Sequence, residues 1–323
     1  MNMKKKYRFI IVSPRQKNGG SIVLHTLCKQ LSLLGYDAKI LYTGLQFYKK
    51  GRKAKFWIKY IIYRILNFIK DLNVYIFGEN KFLKNPNYIG YVNESVKGCS
   101  SKLFPWANSR DIVIYPDVSY GNFTQAKNVV RWFLFHNRFS NEAYQKNDMF
   151  WCFREVFNDY ALNPTCRKLH ITYFNLDLYK QYNFNKRNGK CYIIRKGIKR
   201  ADLPSKFDGI IIDDLPEIEK VKVFNECEYC ISYDTQTAYS SISALCGCIA
   251  IVIPEPGKSK SDYRKKDDKT NYGVAWGFSK EEIDYAISTR SRIKEQFENA
   301  NLEGINNAKL FAEACIDYFN KLV

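Results

Sequence analysis

Short apolar runs alternate with longer stretches of helical period along most of this chain. In the first half, Tyr7–Val12, Ala38–Tyr42, Asp111–Tyr115, Val129–Phe135 and His170–Phe174 are β-like runs. Ser21–Gly35 carries Ile22, Leu24, Leu27, Leu31 and Leu34 at helical spacing, and Gly35 follows as a C′ stop. A polar stretch, Asn183–Lys190, opens the second half. There Cys191–Arg195, Gly209–Asp213, Tyr229–Tyr233 and Ile249–Ile253 read as strands, with helical segments near 217–227 and 236–247 between them. Strands that alternate with helices predict an α/β protein with parallel, doubly wound sheets. The expected division is residues 1–185 and 186–323, with a last helix over Ile305–Leu322.

One segment departs from this alternation. Lys55–Lys70 holds no acidic residue. On a helical wheel Trp57, Ile58, Ile61, Ile62, Ile65, Phe68 and Ile69 share one arc. Lys55, Lys59, Arg64, Asn67 and Lys70 share the other, interleaved with Phe56, Tyr60 and Tyr63. Charges inside the run argue against a bilayer span, since each costs about 2.5–3.5 kcal/mol at the centre of a membrane helix. Two readings fit: a helix lying on an anionic membrane surface, with Trp57, Lys59, Ile61, Arg64 and Phe68 in contact, or a domain helix that buries its arc against its own sheet.

Composition narrows the class. The chain has 323 residues, enough for two cores, and its 46% apolar content excludes a disordered protein. The ten cysteines are scattered and mostly sit within apolar runs, where a thiol behaves as a small hydrophobe. The basic start, Met1–Tyr7, is followed by only a short apolar run, so no secretory signal and a reducing, cytoplasmic location are expected. Cys227-x-x-Cys230 lacks a second such pair, and no metal site is expected. A net charge of +19 points to anionic partners. The basic residues are dispersed and form no nucleic-acid motif, so nucleic acid is not among the expected partners.

Candidate chemistry lies at strand ends, where open α/β sheets bind ligands. Asp117 follows the run Asp111–Tyr115 and fits a general base or a clamp for an acceptor hydroxyl; it equally fits a turn aspartate. Gly19 and Gly20 precede the first helix and allow close approach of a ligand. His25 lies one turn further and fits either a catalytic histidine or a plain core or surface one. Arg195 and Lys196 close the first strand of the second half, a place to neutralise a diphosphate or a plain basic loop end. Asp234, Thr235, Thr237, Ser240 and Ser241 surround the start of a helix, as a phosphate cradle or an ordinary connection. No GxxxxGK[ST] and no GxGxxG occurs, which removes the main sequence support for nucleotide hydrolysis and for Rossmann dehydrogenation.

Taken together these stretches resemble the GT-B glycosyltransferases of bacterial capsule, lipopolysaccharide and exopolysaccharide assembly. Three carry the likeness: Gly19-Gly20-Ser21 through Gly35-Tyr36; Ile114-Tyr115-Pro116-Asp117 with Gly121-Asn122 and Val129-Val130-Arg131-Trp132; and Tyr233-Asp234 through Val252-Ile253-Pro254. The resemblance implies two Rossmann-like domains facing a cleft, an N-terminal acceptor side and a C-terminal donor side, with the final helix crossing back. It implies sugar transfer from a nucleotide-sugar to a lipid-linked saccharide, independent of metal or other cofactor, at the inner face of the cell membrane. Many retaining members carry two glutamates eight positions apart in the third stretch. Here Asp234 and Ile242 stand at those positions, so the ribose-binding carboxylate is missing. Two other classes remain open: a non-catalytic basic protein that binds nucleic acid or membrane, and a GT-B-like epimerase or phosphotransferase.

Overall fold

The computed structural model describes residues 7–14, 19–43, 55, 57–62, 65, 66, 102, 105–263 and 271–322. Arg64 and Phe68, two of the expected membrane contacts, lie outside them. The chain divides into two compact units, Met1–Tyr173 with Asn301–Val323, and Phe174–Ala300. The break falls before the 185/186 boundary expected, because Phe174, Leu176, Leu178 and Tyr179 pack on the core of the second unit.

The first unit holds five parallel strands: β1 (Arg8–Pro14), β2 (Asp37–Thr43), β3 (Asp111–Pro116), β4 (Asn128–Phe133) and β5 (Met149–Cys152), in the order β2-β1-β3-β4-β5. β3, β4 and β5 are buried along their whole length, as strands covered on both faces must be. Phe9, Ile11, Ile112, Ile114, Val130 and Trp132 face one core, shared with Leu24, Leu27 and Leu31 of helix α1 (Gly19–Leu33). The residues between them, Ile10, Val12, Val113, Tyr115 and Val129, face the other. α1 stops at Gly35, whose φ of +86° is the left-handed turn that glycine adopts without strain. His170–Phe174 is not a strand. A helix covers it instead: Asn307 donates to the carbonyl of His170 at 2.9 Å.

The second unit repeats this order. Its parallel strands are β6 (Lys190–Ile193), β7 (Ile210–Ile211), β8 (Tyr229–Ser232), β9 (Ile249–Val252) and β10 (Val274–Trp276), arranged β7-β6-β8-β9-β10. Helices α2 (Glu217–Glu226) and α3 (Tyr239–Leu245) contribute Val221, Phe224, Ile242 and Ala244 to its main core. α4 (Lys280–Thr289) closes the opposite face through Ala286 against Ile251 and Ala275. α5 (Ile293–Lys321) is longer than the helix expected over Ile305–Leu322. Its Ile293 and Phe297 belong to this second core, while Ala308, Phe311, Cys315 and Phe319 belong to the first. Both units are thus Rossmann-like α/β layers built on parallel sheets.

Candidate functional site

In each sheet the strand order reverses beside the first strand. Loops leaving the carboxyl ends there diverge in opposite directions and open a crevice. In the second unit that point lies between β6 and β8, and both donor-side stretches leave from it.

After β6 the chain makes a 3-10 turn over Arg195–Gly197. Arg195 has φ of +35°, a strained value for a non-glycine residue. The strain is held by Asp213, whose Oδ2 accepts the backbone N–H groups of Ile194 at 3.0 Å and Arg195 at 2.7 Å. Gly197 has no room for a side chain: a Cβ there would lie 2.3 Å from the carbonyl oxygen of Tyr233. The β6 and β8 loops are therefore in contact. Arg200 ties them further, donating to the carbonyls of Tyr233 at 3.1 Å, Ile253 at 2.7 Å and Pro254 at 2.6 Å. The side chains of Arg195 and Lys196 remain exposed on this frame.

Each polar residue of the β8 loop has its own role. Asp234 is buried and accepts the N–H of Gln236 at 2.9 Å, which shapes the turn. Thr237 Oγ1 accepts the N–H of Tyr239 at 3.2 Å at the entry to α3. Thr235 and Ser241 are half-exposed. Among the described residues, Ser240 Oγ and Asp213 Oδ1 are enclosed and have no hydrogen-bond partner. An unsatisfied buried polar atom costs about 1–3 kcal/mol. α3 is only seven residues long and is entered through Ala238, so exposed cations rather than a helix dipole supply most of its positive field.

Beneath this surface lies a buried network that the sequence did not reveal. Glu217, at the start of α2, accepts from Tyr179 at 2.6 Å, Tyr239 at 2.7 Å and Lys220 at 3.1 Å. The ring of Tyr239 carries Lys220 at 4.8 Å and Arg195 at 5.4 Å from its centroid. The only hint in the sequence is a Glu-x-x-Lys spacing, which usually marks a solvated helix face.

In the first unit the equivalent reversal lies between β1 and β3. Gly19 and Gly20 follow β1 and form the first turn of α1 rather than a loop before it. Among the described residues, a Cβ on Gly19 would meet nothing within 4 Å. Asp117 follows β3 and is buried. Its Oδ1 accepts the N–H of Leu134 at 3.1 Å, and Arg138 Nε stands 3.8 Å from Oδ2. Burial pushes its pKa above the ordinary value, partly offset by Arg138. Its loop is shaped by the second resembling stretch. Arg131, buried against Asp148 at 2.7 Å, donates to the carbonyl of Gly121 at 2.9 Å, and the Tyr115 hydroxyl donates to Asn122 at 3.0 Å. His25 is buried and bridges α1 to β2: Nδ1 is 2.6 Å from the carbonyl oxygen of Ser21, and Nε2 is 2.8 Å from the Tyr42 hydroxyl. This is the core role that the sequence left open for it.

No protein-family model matches the chain, and no curated protein matches it. Among the described residues no group of three or more His, Cys, Asp or Glu is arranged to hold a metal ion, and no helix is long and apolar enough to cross a membrane.

Proposed function

We propose that the chain is a glycosyltransferase that moves a sugar from a nucleotide-sugar donor to a lipid-linked saccharide. One observation carries the reading. The exposed cations Arg195 and Lys196 and the hydroxyl-rich loop Asp234–Ser241 are distant in sequence, yet they meet at the strand-order reversal of one sheet. Asp117 and the Gly19-Gly20 turn share the corresponding position in the other sheet. The resemblance to GT-B enzymes assigns the same two stretches to donor and acceptor.

In this mechanism the acceptor oxygen forms the new bond to the anomeric carbon as the bond from that carbon to the diphosphate oxygen breaks. Asp117 takes the proton from the acceptor hydroxyl, a task suited to a carboxylate made more basic by burial. Arg195 and Lys196 stabilise the charge that grows on the leaving diphosphate, and Ser241 and Thr235 offer hydroxyl donors beside it.

A thermal-shift screen with UDP, GDP, dTDP, CMP and their sugars tests the reading. One nucleotide should stabilise the protein, by about 2.7 kcal/mol at a hundredfold excess over its dissociation constant. Lys196→Ala and Ser241→Ala should each weaken that shift. If both variants turn over donor as the parent does, the diphosphate assignment is wrong.

A further inference from the structure

Cys152 and Cys166 are 14 residues apart in the chain, yet their Sγ atoms lie 3.9 Å apart. Both are free thiols. The backbone brings them together. Cys152 ends β5, where its N–H donates to the carbonyl of Arg167 at 2.9 Å and its own carbonyl accepts the N–H of Leu169 at 2.9 Å. Cys166 enters this paired segment with φ of +48°, a value uncommon for any residue but glycine. The buried Asn163 holds that turn. Its carbonyl accepts the N–H of Cys166 at 3.0 Å, its Oδ1 accepts the N–H of Arg167 at 3.0 Å, and its Nδ2 donates to the carbonyl of Arg167 at 3.1 Å. The two thiols thus meet across a fixed frame. A disulfide bond is about 2.05 Å long, so the sulfurs need to close by only about 2 Å, within reach of side-chain rotation.

The two thiols differ in access. Cys152 is fully buried against Phe133 and Phe150, while Cys166 is half-buried and reachable from water. Cys191, Cys227, Cys230, Cys246 and Cys248, by contrast, are all buried in the core of the second unit. An accessible thiol beside a resolving one is the arrangement of a redox sensor. In a reducing compartment, disulfides are usually transient and redox-sensing rather than structural.

We propose that Cys152 and Cys166 form a modification site that hydrogen peroxide converts to a reversible disulfide. The Cys166 thiolate attacks one peroxide oxygen: an S–O bond forms, the O–O bond breaks and hydroxide leaves. The sulfur of Cys152 then attacks that of Cys166. The S–S bond forms, the S–O bond breaks, and the oxygen departs as water with the Cys152 proton. The two sulfurs give up two electrons in all, and the peroxide takes them. Exchange with a reducing thiol reverses the bond. The bond closes a ring that contains Phe157, which packs on Phe135 at 5.0 Å and His136 at 5.2 Å. Phe135 follows Leu134, whose N–H is held by Asp117. The ring therefore borders the segment that Asp117 shapes. The inference is independent of the sugar-transfer reading, because its test counts thiols and not turnover.

The test treats the reduced full chain with hydrogen peroxide, blocks the remaining thiols with N-ethylmaleimide in denaturant, and digests with trypsin. Cleavage after Arg154 places the two cysteines on separate peptides, Asn147–Arg154 and Glu155–Arg167. The expected product is these two peptides joined, two hydrogens below their summed mass and separated again by dithiothreitol. Two of the ten thiols should be lost to titration. Cys166→Ser should abolish the joined pair and leave Cys152 open to maleimide, with the melting temperature as control for the fold. The proposal is overturned if both peptides of the treated parent carry maleimide, or if Cys166 becomes sulfinic acid while Cys152 stays free. It is equally overturned if either cysteine pairs with a different one, or if Cys152 of the folded Cys166→Ser protein is consumed as fast as in the parent. Should that variant fail to fold, the peptides of the parent decide.

Discussion

The Tyr239 hydroxyl donates to Glu217 Oε1 at 2.7 Å, while the guanidinium of Arg195 rests 5.4 Å from the centre of the same tyrosine ring. A buried carboxylate thus orients the ring against which a surface cation lies. Tyr239→Phe keeps the ring and removes the anchor. A hydrogen bond to a charged group contributes about 1.5–3 kcal/mol, and urea denaturation should report a loss in that range. Glu217→Ala should cost more, about 3–5 kcal/mol, because it removes the buried carboxylate that stands 3.1 Å from the buried ammonium of Lys220.

Asp117→Asn separates chemistry from stability. As the proposed base, Asp117 should contribute about 10²- to 10⁴-fold to transfer, and the amide should lose that factor. The folded carboxyl has a raised pKa, so the folded state holds a proton that the unfolded state has released. Stability therefore falls as pH rises from the ordinary aspartate value of about 3.9 through the higher folded value. The asparagine variant should lack that fall in denaturation midpoints measured across the same range. In the parent, transfer should rise with ionisation through the same raised pKa.

Gly19→Ala should have opposite effects on stability and function. Its Cβ would meet no atom of the described residues within 4 Å, and alanine is the better helix former by up to about 1 kcal/mol. The melting temperature should hold or rise. If the open space serves a ligand, turnover should fall in the same protein. Unchanged turnover would mean that the glycine does not serve substrate approach.

Gly197→Ala should disturb the donor crevice before it disturbs the fold. The added carbon would lie 2.3 Å from the Tyr233 carbonyl oxygen, so the Arg195–Gly197 turn must move. A displacement of about 1 Å at a reacting centre can cost about 10²-fold in rate. Donor kcat/KM is the readout, with the melting temperature as control.

Much of this layout was legible because strands buried on both faces read as uninterrupted apolar runs. Asp111–Pro116 and Asn128–Phe133 are such runs, and the residues at their ends follow directly. Asp117, Arg195 and Lys196 were found in this way, from position rather than pattern. Two strands escaped, Met149–Cys152 and Val274–Trp276, although others as short, such as Lys190–Ile193 and Ile210–Ile211, were read. The helix Lys280–Thr289 escaped because a single fully buried residue, Ala286, is all it commits to the core. The Glu217 network joins side chains from Tyr179 to Tyr239, and only the folded chain brings them together. The aliphatic arc near Ile61 was visible on a wheel, but which side faces protein depends on the core that receives Tyr60.

The long helix α5 has a consequence for synthesis. Ala308, Phe311, Ala312, Cys315, Ile316 and Phe319 complete a core whose other buried members all lie before Tyr173. The second unit is contiguous, from Phe174 to Ala300. On a ribosome, which extends chains from the amino end, the unit that begins first is finished last. The apolar faces of α1 and β1 must wait, exposed or chaperoned, while an entire domain is made and folded between them and the residues that cover them.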